Sequence, residues 1–397
     1  MRQKWLHNLL ESWLLRTLIA LGAVSAIYGV IADPGRTWPN LLLDGFYVTS
    51  LAVSALFFLA TQRLSGARWS ASLRRIPEAL MLILPVASLF MLVLYFGKGH
   101  LYGWSVQGNS AETAVGGKSA YLQAPYAAAR GAIVLLLWSV FAWRMRTVSL
   151  RQDRDRAQSL TWHHRLNSLS ALFVVLFAVS FTVASYDWLM SLDASWSSTM
   201  FAVYTFAGAF VQGIAAVTLA AVFLRRSGHL LHAPGKDQLH DLGKLLFAFS
   251  TFWAYIWVCQ YLLIWYGNIP DEVTYYVART SSSWRVLFLL NFVINWIIPF
   301  CILLPARTKR DPIVLRRVSI LLLCGHWFDL YLLIMPCLWK NPKFGPLELT
   351  IAAGYGALVC VLFLRNLAAA PIVPLHDPVL IADAFAHALH TAYGEES

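Results

Sequence analysis

LHDLGKLLFAFSTFWAYIWVCQYLLIWYGNIPDE, Leu239–Glu272, is the stretch that decides the fold class. It reads as a helix of some twenty apolar and aromatic residues, entered through Asp241 and Lys244. Gln260 lies inside it, and it leaves through Trp265, Tyr266 and an Asn-Ile-Pro turn. Charge at one mouth, aromatics at the other and an amide between them describe a membrane-spanning helix that lines a polar route. A chain built around such a helix handles a ligand, protons or electrons.

Composition points the same way. The chain is 58% hydrophobic and only 13% charged, with a mean hydropathy of +0.59, far from the usage of soluble domains. Ten apolar runs are each long enough to cross a hydrocarbon core of about 30 Å. They lie near 13–32, 41–61, 78–97, 126–143, 168–188, 199–224, 243–266, 284–304, 316–336 and 350–366. Without water to satisfy backbone groups these runs must be helical. The predicted fold is therefore an all-α polytopic membrane protein, with a transmembrane domain over 1–366 and a cytoplasmic tail over 367–397.

Basic residues orient it. With the N-terminus inside, 23 of the 31 Lys and Arg fall on inner segments and 8 on outer ones. That pattern predicts both termini in the cytoplasm, in a multi-pass protein of the bacterial inner membrane. It also accounts for most of the +11 net charge without nucleic acid. Arg63, Arg68, Arg74, Arg75, Arg144, Arg146, Arg151, Arg154 and Arg156 are expected beside anionic lipid headgroups. Met1–Glu11 has few charges and no small-residue cleavage site follows the first run, so it reads as leading into a retained helix. The five cysteines Cys259, Cys301, Cys324, Cys337 and Cys360 are dispersed. No CxxC, CxxCH or ferredoxin spacing occurs, which argues against an iron–sulfur cluster, a c-type haem or another metal site in this chain.

The loop near 98–125 is rich in Gly and Ser and reads as irregular. The stretch 144–167 is dense in Arg and Asp and extends a helix past the membrane or forms a loop. After Arg365, prolines break the chain before an amphipathic segment from Asp377 to about Leu389, suited to the membrane surface or a partner subunit, or else a frayed tail.

Ionisable groups inside spans are expensive, so each is a functional candidate. CGHWFDLYLLIMP in the ninth span places His326 and Asp329 three residues apart on one helix face, where one can hold or relay a proton for the other. Asp187 closes the fifth span at the outer side. Asp241 and Lys244 open the seventh at the inner side. Arg285 opens the eighth, which then carries Asn291 and Asn295 one turn apart. Gln260 and Tyr266 are supporting polar groups. Stacked by depth, these residues suit a proton route, or a quinol site with a proton exit: each quinol hydroxyl needs a proton acceptor, and its ring and tail need apolar walls. The competing readings are plain: a capping ion pair at Asp241–Lys244, an inter-helix residue at Asp187, a buried pair that specifies packing at His326–Asp329, helix-packing amides at Asn291 and Asn295, and the ordinary aromatic belt at the outer Trp and Tyr residues.

SYDWLMSLDASWSSTMFAVYTFAGAF (185–210), HDLGKLLFAFSTFWAYIWVCQYLLIWYGNIPDE (240–272), SSSWR (281–285) and KSAYLQAPYAAAR (118–130) together resemble the second quinone-binding-type membrane subunit of bacterial alternative complex III. That subunit belongs to the polysulfide-reductase and nitrite-reductase membrane-subunit (NrfD-like) superfamily. The resemblance covers about 118–336; the first hundred residues match in hydropathy only, and Gln123 stands where the family more often has Asn. It implies ten transmembrane helices, with bundles of helices 2–5 and 6–9 flanked by helices 1 and 10. It implies a quinol:cytochrome c oxidoreductase complex that oxidises menaquinol or ubiquinol, in which this chain is not catalytic alone. Iron–sulfur and haem c cofactors then belong to partner subunits, beside a paralogous membrane subunit and a terminal oxidase. The motif-matched positions are Asp187, Asp241, Lys244 and Arg285, whereas His326 and Asp329 rest on the physical argument. Two other classes stay open: a proton-coupled secondary transporter, for which Pro85 and Pro299 are the candidate helix breaks, and a structural membrane anchor.

Overall fold

Among the described residues ten helices are long and apolar enough to cross a membrane, which makes this an all-α polytopic membrane protein. The computed structural model describes residues 12–106, 118, 120–227, 236–281 and 283–382. The spanning helices are α1 (Trp13–Ala32), α2 (Pro34–Leu64), α3 (Arg75–Leu101), α4 (Ala124–Arg154), α5 (Ser159–Trp188), α6 (Phe201–Arg226) and α7 (Lys236–Gly267). A short α8 (Pro270–Thr280) intervenes before α9 (Trp284–Leu303), α10 (Pro312–Leu338) and α11 (Pro346–Ala368). Below, "inner" denotes the arginine-rich end and "outer" the opposite one.

Most helices outrun their apolar cores because their ends carry their own signals. Pro34 occupies the first turn of α2, and the Asp33 side chain accepts from the Arg36 N–H at 3.2 Å. Asp311 caps α10 in the same way, accepting from the Ile313 N–H at 2.7 Å. At the far end of α7, Asn268 takes a left-handed φ of 45°, the turn that closes many helices. The Arg- and Asp-dense stretch 144–167 is mostly helical, with 155–158 linking α4 to α5. Two spans are interrupted ahead of prolines. Turn geometry at Leu82–Ile83 breaks α3 before Pro85, and a π turn over Val293–Ile297 precedes Pro299 in α9. A proline lacks the N–H that a helix ladder needs and crowds the carbonyl four residues back, so the backbone widens there.

Helices α2, α3, α4 and α5 contact one another in a closed ring, and α6, α7, α9 and α10 form a second; the rings meet along α2 and α6. Helices α1 and α11 pair with each other and lie against α2. A Cβ on Gly354 would stand 2.8 Å from the Gly22 Cα, so the two backbones touch, as small residues permit between membrane helices. Gly354→Val is expected to cost about 1–3 kcal/mol through overpacking. Thermal unfolding in detergent checks this against Gly356→Val, where an added Cβ meets nothing within 4 Å; equal midpoints would refute the close crossing.

The inner arginines depart from the headgroup expectation. Arg63, Arg74, Arg75 and Arg146 are buried. Glu78, 0% exposed, accepts from Arg75 Nη1 at 2.5 Å, Arg146 Nη1 at 2.8 Å and the Ser149 hydroxyl at 2.6 Å. Arg75 also pairs with Asp153. The start of the tail joins this network: Arg74 pairs with Asp377, the Leu375 N–H donates to Asp153 at 3.1 Å, and Arg146 reaches the Asn366 carbonyl at 3.2 Å. Residues 378–382 are helical, and the rest of the expected amphipathic segment, 383–389, lies outside the described residues, as do 107–117 and 119 of the outer loop.

Candidate functional site

The second ring is built around one carboxylate. Asp329 on α10 is buried and accepts from the Tyr204 hydroxyl at 2.5 Å, the Asn291 amide at 2.7 Å and the Trp253 indole N–H at 3.1 Å. Each donor comes from a different helix: α6, α9 and α7. A carboxylate has no donor of its own when ionised and accepts at both oxygens, so three neutral donors supply the partners it loses on leaving water. Asn295, in the π turn, donates to the Asn291 carbonyl and side-chain oxygens at 3.1 and 2.7 Å and to the Gly325 carbonyl at 3.1 Å. The widened turn thus locks the amide that holds Asp329.

His326 lies beside this cage without joining it. Its Nδ1 is 3.9 Å from Asp329 Oδ2, beyond hydrogen-bond range. Both ring nitrogens are buried and lack partners. The i, i+3 spacing therefore puts the pair on one face but not in direct contact, and a bridging water is the simplest acceptor and donor for the ring. Space for one exists: a cavity of about 10 Å³ is bounded by His326, Asp329, Gly208, Gln212 and Ser50, at the lower limit for a water.

Asp329 also borders a second cavity of about 20 Å³, with Tyr204, Gln260, Tyr275, Arg279 and Asn291. Gln260 in turn borders an outer crevice of about 440 Å³, with Tyr186, Ser198, Met200, Leu263 and Glu272. Gln260 Nε2 donates to the Ser198 hydroxyl at 3.4 Å. The three spaces thus share lining residues: Gln260 borders the outer crevice and the second cavity, and Asp329 borders the second cavity and the one at His326. Inward of Gln212, Val53, Leu56 and Leu59 on α2 and Ala215, Ala221 and Val222 on α6 are each at most 2% exposed.

Arg279, buried on α8, caps the second cavity. Its Nε donates to the Leu332 carbonyl at 3.0 Å and its Nη2 to the Leu333 carbonyl at 2.8 Å. Pro336, four residues on, has no N–H for Leu332, so the guanidinium fills a vacancy in the α10 ladder. Its plane lies 3.4 Å from the Tyr275 ring centroid. Burial raises the Tyr275 and Tyr276 phenols above their ordinary value, which keeps both neutral beside the cavity.

The other sequence candidates lie apart from this site. Asp187 belongs to the first ring, where Arg130 grips it at 2.8 and 3.0 Å and stacks on Tyr121. Asp241 and Lys244 form a 2.5 Å ion pair at the inner start of α7, with side chains 24% and 55% exposed. Arg285 is exposed, and Tyr266 is 87% exposed. The depth-ordered stack of inner pair, central pair and outer acid is thus not one continuous site. Sequence reading passed over Tyr204 and Trp253, which looked like span aromatics, and Arg279, which looked like an outer-loop cation. It also passed over Asp44 in α2, buried, with Oδ1 accepting from Trp327 at 2.7 Å and Oδ2 without a partner. Among the described residues no three His, Cys, Asp or Glu side chains converge as a metal site. No protein-family model matches the chain, and a search of curated proteins finds no match.

Proposed function

We propose that this chain is a membrane subunit of a respiratory quinol:electron-acceptor oxidoreductase of the alternative complex III type, in which Asp329 and His326 exchange protons with the outer face. The observation that carries the reading is the set of three spaces sharing Gln260 and Asp329. A buried carboxylate next to a His with two free nitrogens forms a proton-holding pair, and water-sized gaps supply the relay. The outer crevice has the volume of a small-molecule site. Its Met and Leu walls suit a quinol ring, and Gln260 and Glu272 are the polar groups a hydroxyl would meet. Electrons then pass to iron–sulfur and haem c centres on partner subunits, next to a paralogous membrane subunit and a terminal oxidase, in a bacterial inner membrane. The quinol is menaquinol or ubiquinol.

The test is quinol:cytochrome c turnover and proton release in the purified native assembly carrying Asp329→Asn. Assembly should be intact and turnover reduced at least about tenfold, a modest share of what a positioned acid or base supplies. Gly208→Ala probes the same route without altering charge: its Cβ would stand 3.4 Å from His326 Nδ1, an ordinary contact that occupies the small cavity. Unchanged turnover and proton release in both variants would reduce the pair to packing. The interruptions of α3 and α9 before Pro85 and Pro299 favour a second reading, a proton-coupled transporter; purification without any haem-bearing partner would select it.

A further inference from the structure

Among the described residues Arg63 is a buried cation with no anion of its own. It sits one residue from the inner end of α2 and is 5% exposed. Its Nε and Nη1 are buried without hydrogen-bond partners. The carboxylates around it are already engaged: Glu78 by Arg75, Arg146 and Ser149, Asp153 by Arg75, and Asp377 by Arg74. Among the described residues four guanidinia, Arg63, Arg74, Arg75 and Arg146, therefore face these three carboxylates, and Arg63 holds the unmatched charge. Other donors near it are unsatisfied too. Arg74 Nε and His163 Nδ1 are buried without partners, and both residues lie within electrostatic reach of Arg63. The Ser72 hydroxyl, two residues before Arg74, is likewise buried and unpartnered. A desolvated guanidinium without a counter-charge is costly, and unsatisfied donors gathered at one place call for an acceptor.

We infer that Arg63, with Arg74 and His163, forms an anion site at the inner end of the first ring that takes a phosphate group. A tetrahedral phosphate matches both the missing charge and several donors at once. Basic side chains between membrane helices at the inner end are the setting in which lipid headgroups are bound; inorganic phosphate offers the same chemistry without the tails.

The experiment follows thermal unfolding of the full-length protein, delipidated in neutral detergent, with either phosphatidylglycerol in the micelles or inorganic phosphate. The variants are Arg63→Gln and Arg144→Gln, the latter removing an exposed inner-end charge. A ligand that binds only the folded state raises the midpoint. Phosphatidylglycerol should raise it by several degrees in the wild type and in Arg144→Gln, but not in Arg63→Gln, with phosphate inert. The same pattern with phosphate alone would assign the site to the free ion. No rise in the wild type, or an equal rise in Arg63→Gln, overturns the site. Should Arg63→Gln fail to accumulate, phosphorus assay of the extensively delipidated wild type decides: one tightly held phosphorus per chain supports the site and none overturns it.

Discussion

Glu78→Ala is expected to be among the most damaging single substitutions in the chain, lowering stability by about 3–5 kcal/mol, the cost of stripping one partner from a buried ion network. The magnitude follows from what the carboxylate holds. Two guanidinia and a hydroxyl converge on it within 2.8 Å at a fully buried site. Removal leaves Arg75 with Asp153 alone among carboxylates and leaves Arg146 with only a carbonyl. Against a total stability of about 5–15 kcal/mol, that loss should appear as little monodisperse protein on gel filtration and an unfolding midpoint lowered by many degrees. Asp241→Asn is the matched contrast. Its partner Lys244 is more than half exposed, and such pairs contribute about 0–1 kcal/mol. If the two substitutions shifted the midpoint equally, the inner network would not be the structural anchor that its burial implies. A double substitution, Glu78→Leu with Arg146→Leu, should recover part of the loss by removing a stranded charge.

What the sequence made legible and what it hid divide along physical lines. The spans were readable because length and hydropathy alone force helices in a bilayer, and the Asn-Ile-Pro turn marked the outer end of α7. His326, Asp329, Asn291 and Asn295 stood out because polar groups are conspicuous against an apolar background, and helical spacing put each pair on one face. The partners of Asp329 did not stand out. Tyr204 and Trp253 act through one hydroxyl and one indole N–H, and in sequence they are two aromatics among many. Arg279 was hidden for another reason: its role depends on the carbonyl that Pro336 frees more than fifty residues later, a long-range pairing that no local pattern announces. The inner arginines misled because positive charge at that end is expected on orientation grounds alone. Only the positions of Glu78, Asp153 and Asp377 show that several are internal. A proline that disrupts a spanning helix, such as Pro299 or Pro336, was the one local signal that could have pointed to both halves of the site.

Arg279→Met tests whether Asp329 and the α8 arginine act as one electrostatic unit. Alone it is expected to cost about 3 kcal/mol. The Leu332 carbonyl loses the donor that replaced the missing Pro336 N–H, worth about 1–3 kcal/mol for a buried orphan, and the stack on Tyr275 adds about 2 kcal/mol when desolvated. Relief of the arginine's own burial offsets part of this. The more telling quantity is the coupling to Asp329. Among the described residues Arg279 is a buried cation held by carbonyls, a sulfur and a ring, and Asp329 is a buried carboxyl held by neutral donors. They border the same cavity of about 20 Å³, so a water held there would link the two charges. Either single substitution leaves the remaining charge unbalanced in a low dielectric. The double variant Arg279→Met, Asp329→Asn should therefore be less destabilised than the sum of the singles, by about 1–3 kcal/mol in an unfolding cycle. Additive effects would mean that the arginine serves only the α10 backbone. The proton-holding role of Asp329 would then rest on Tyr204, Asn291, Trp253 and His326 without help from a nearby positive charge.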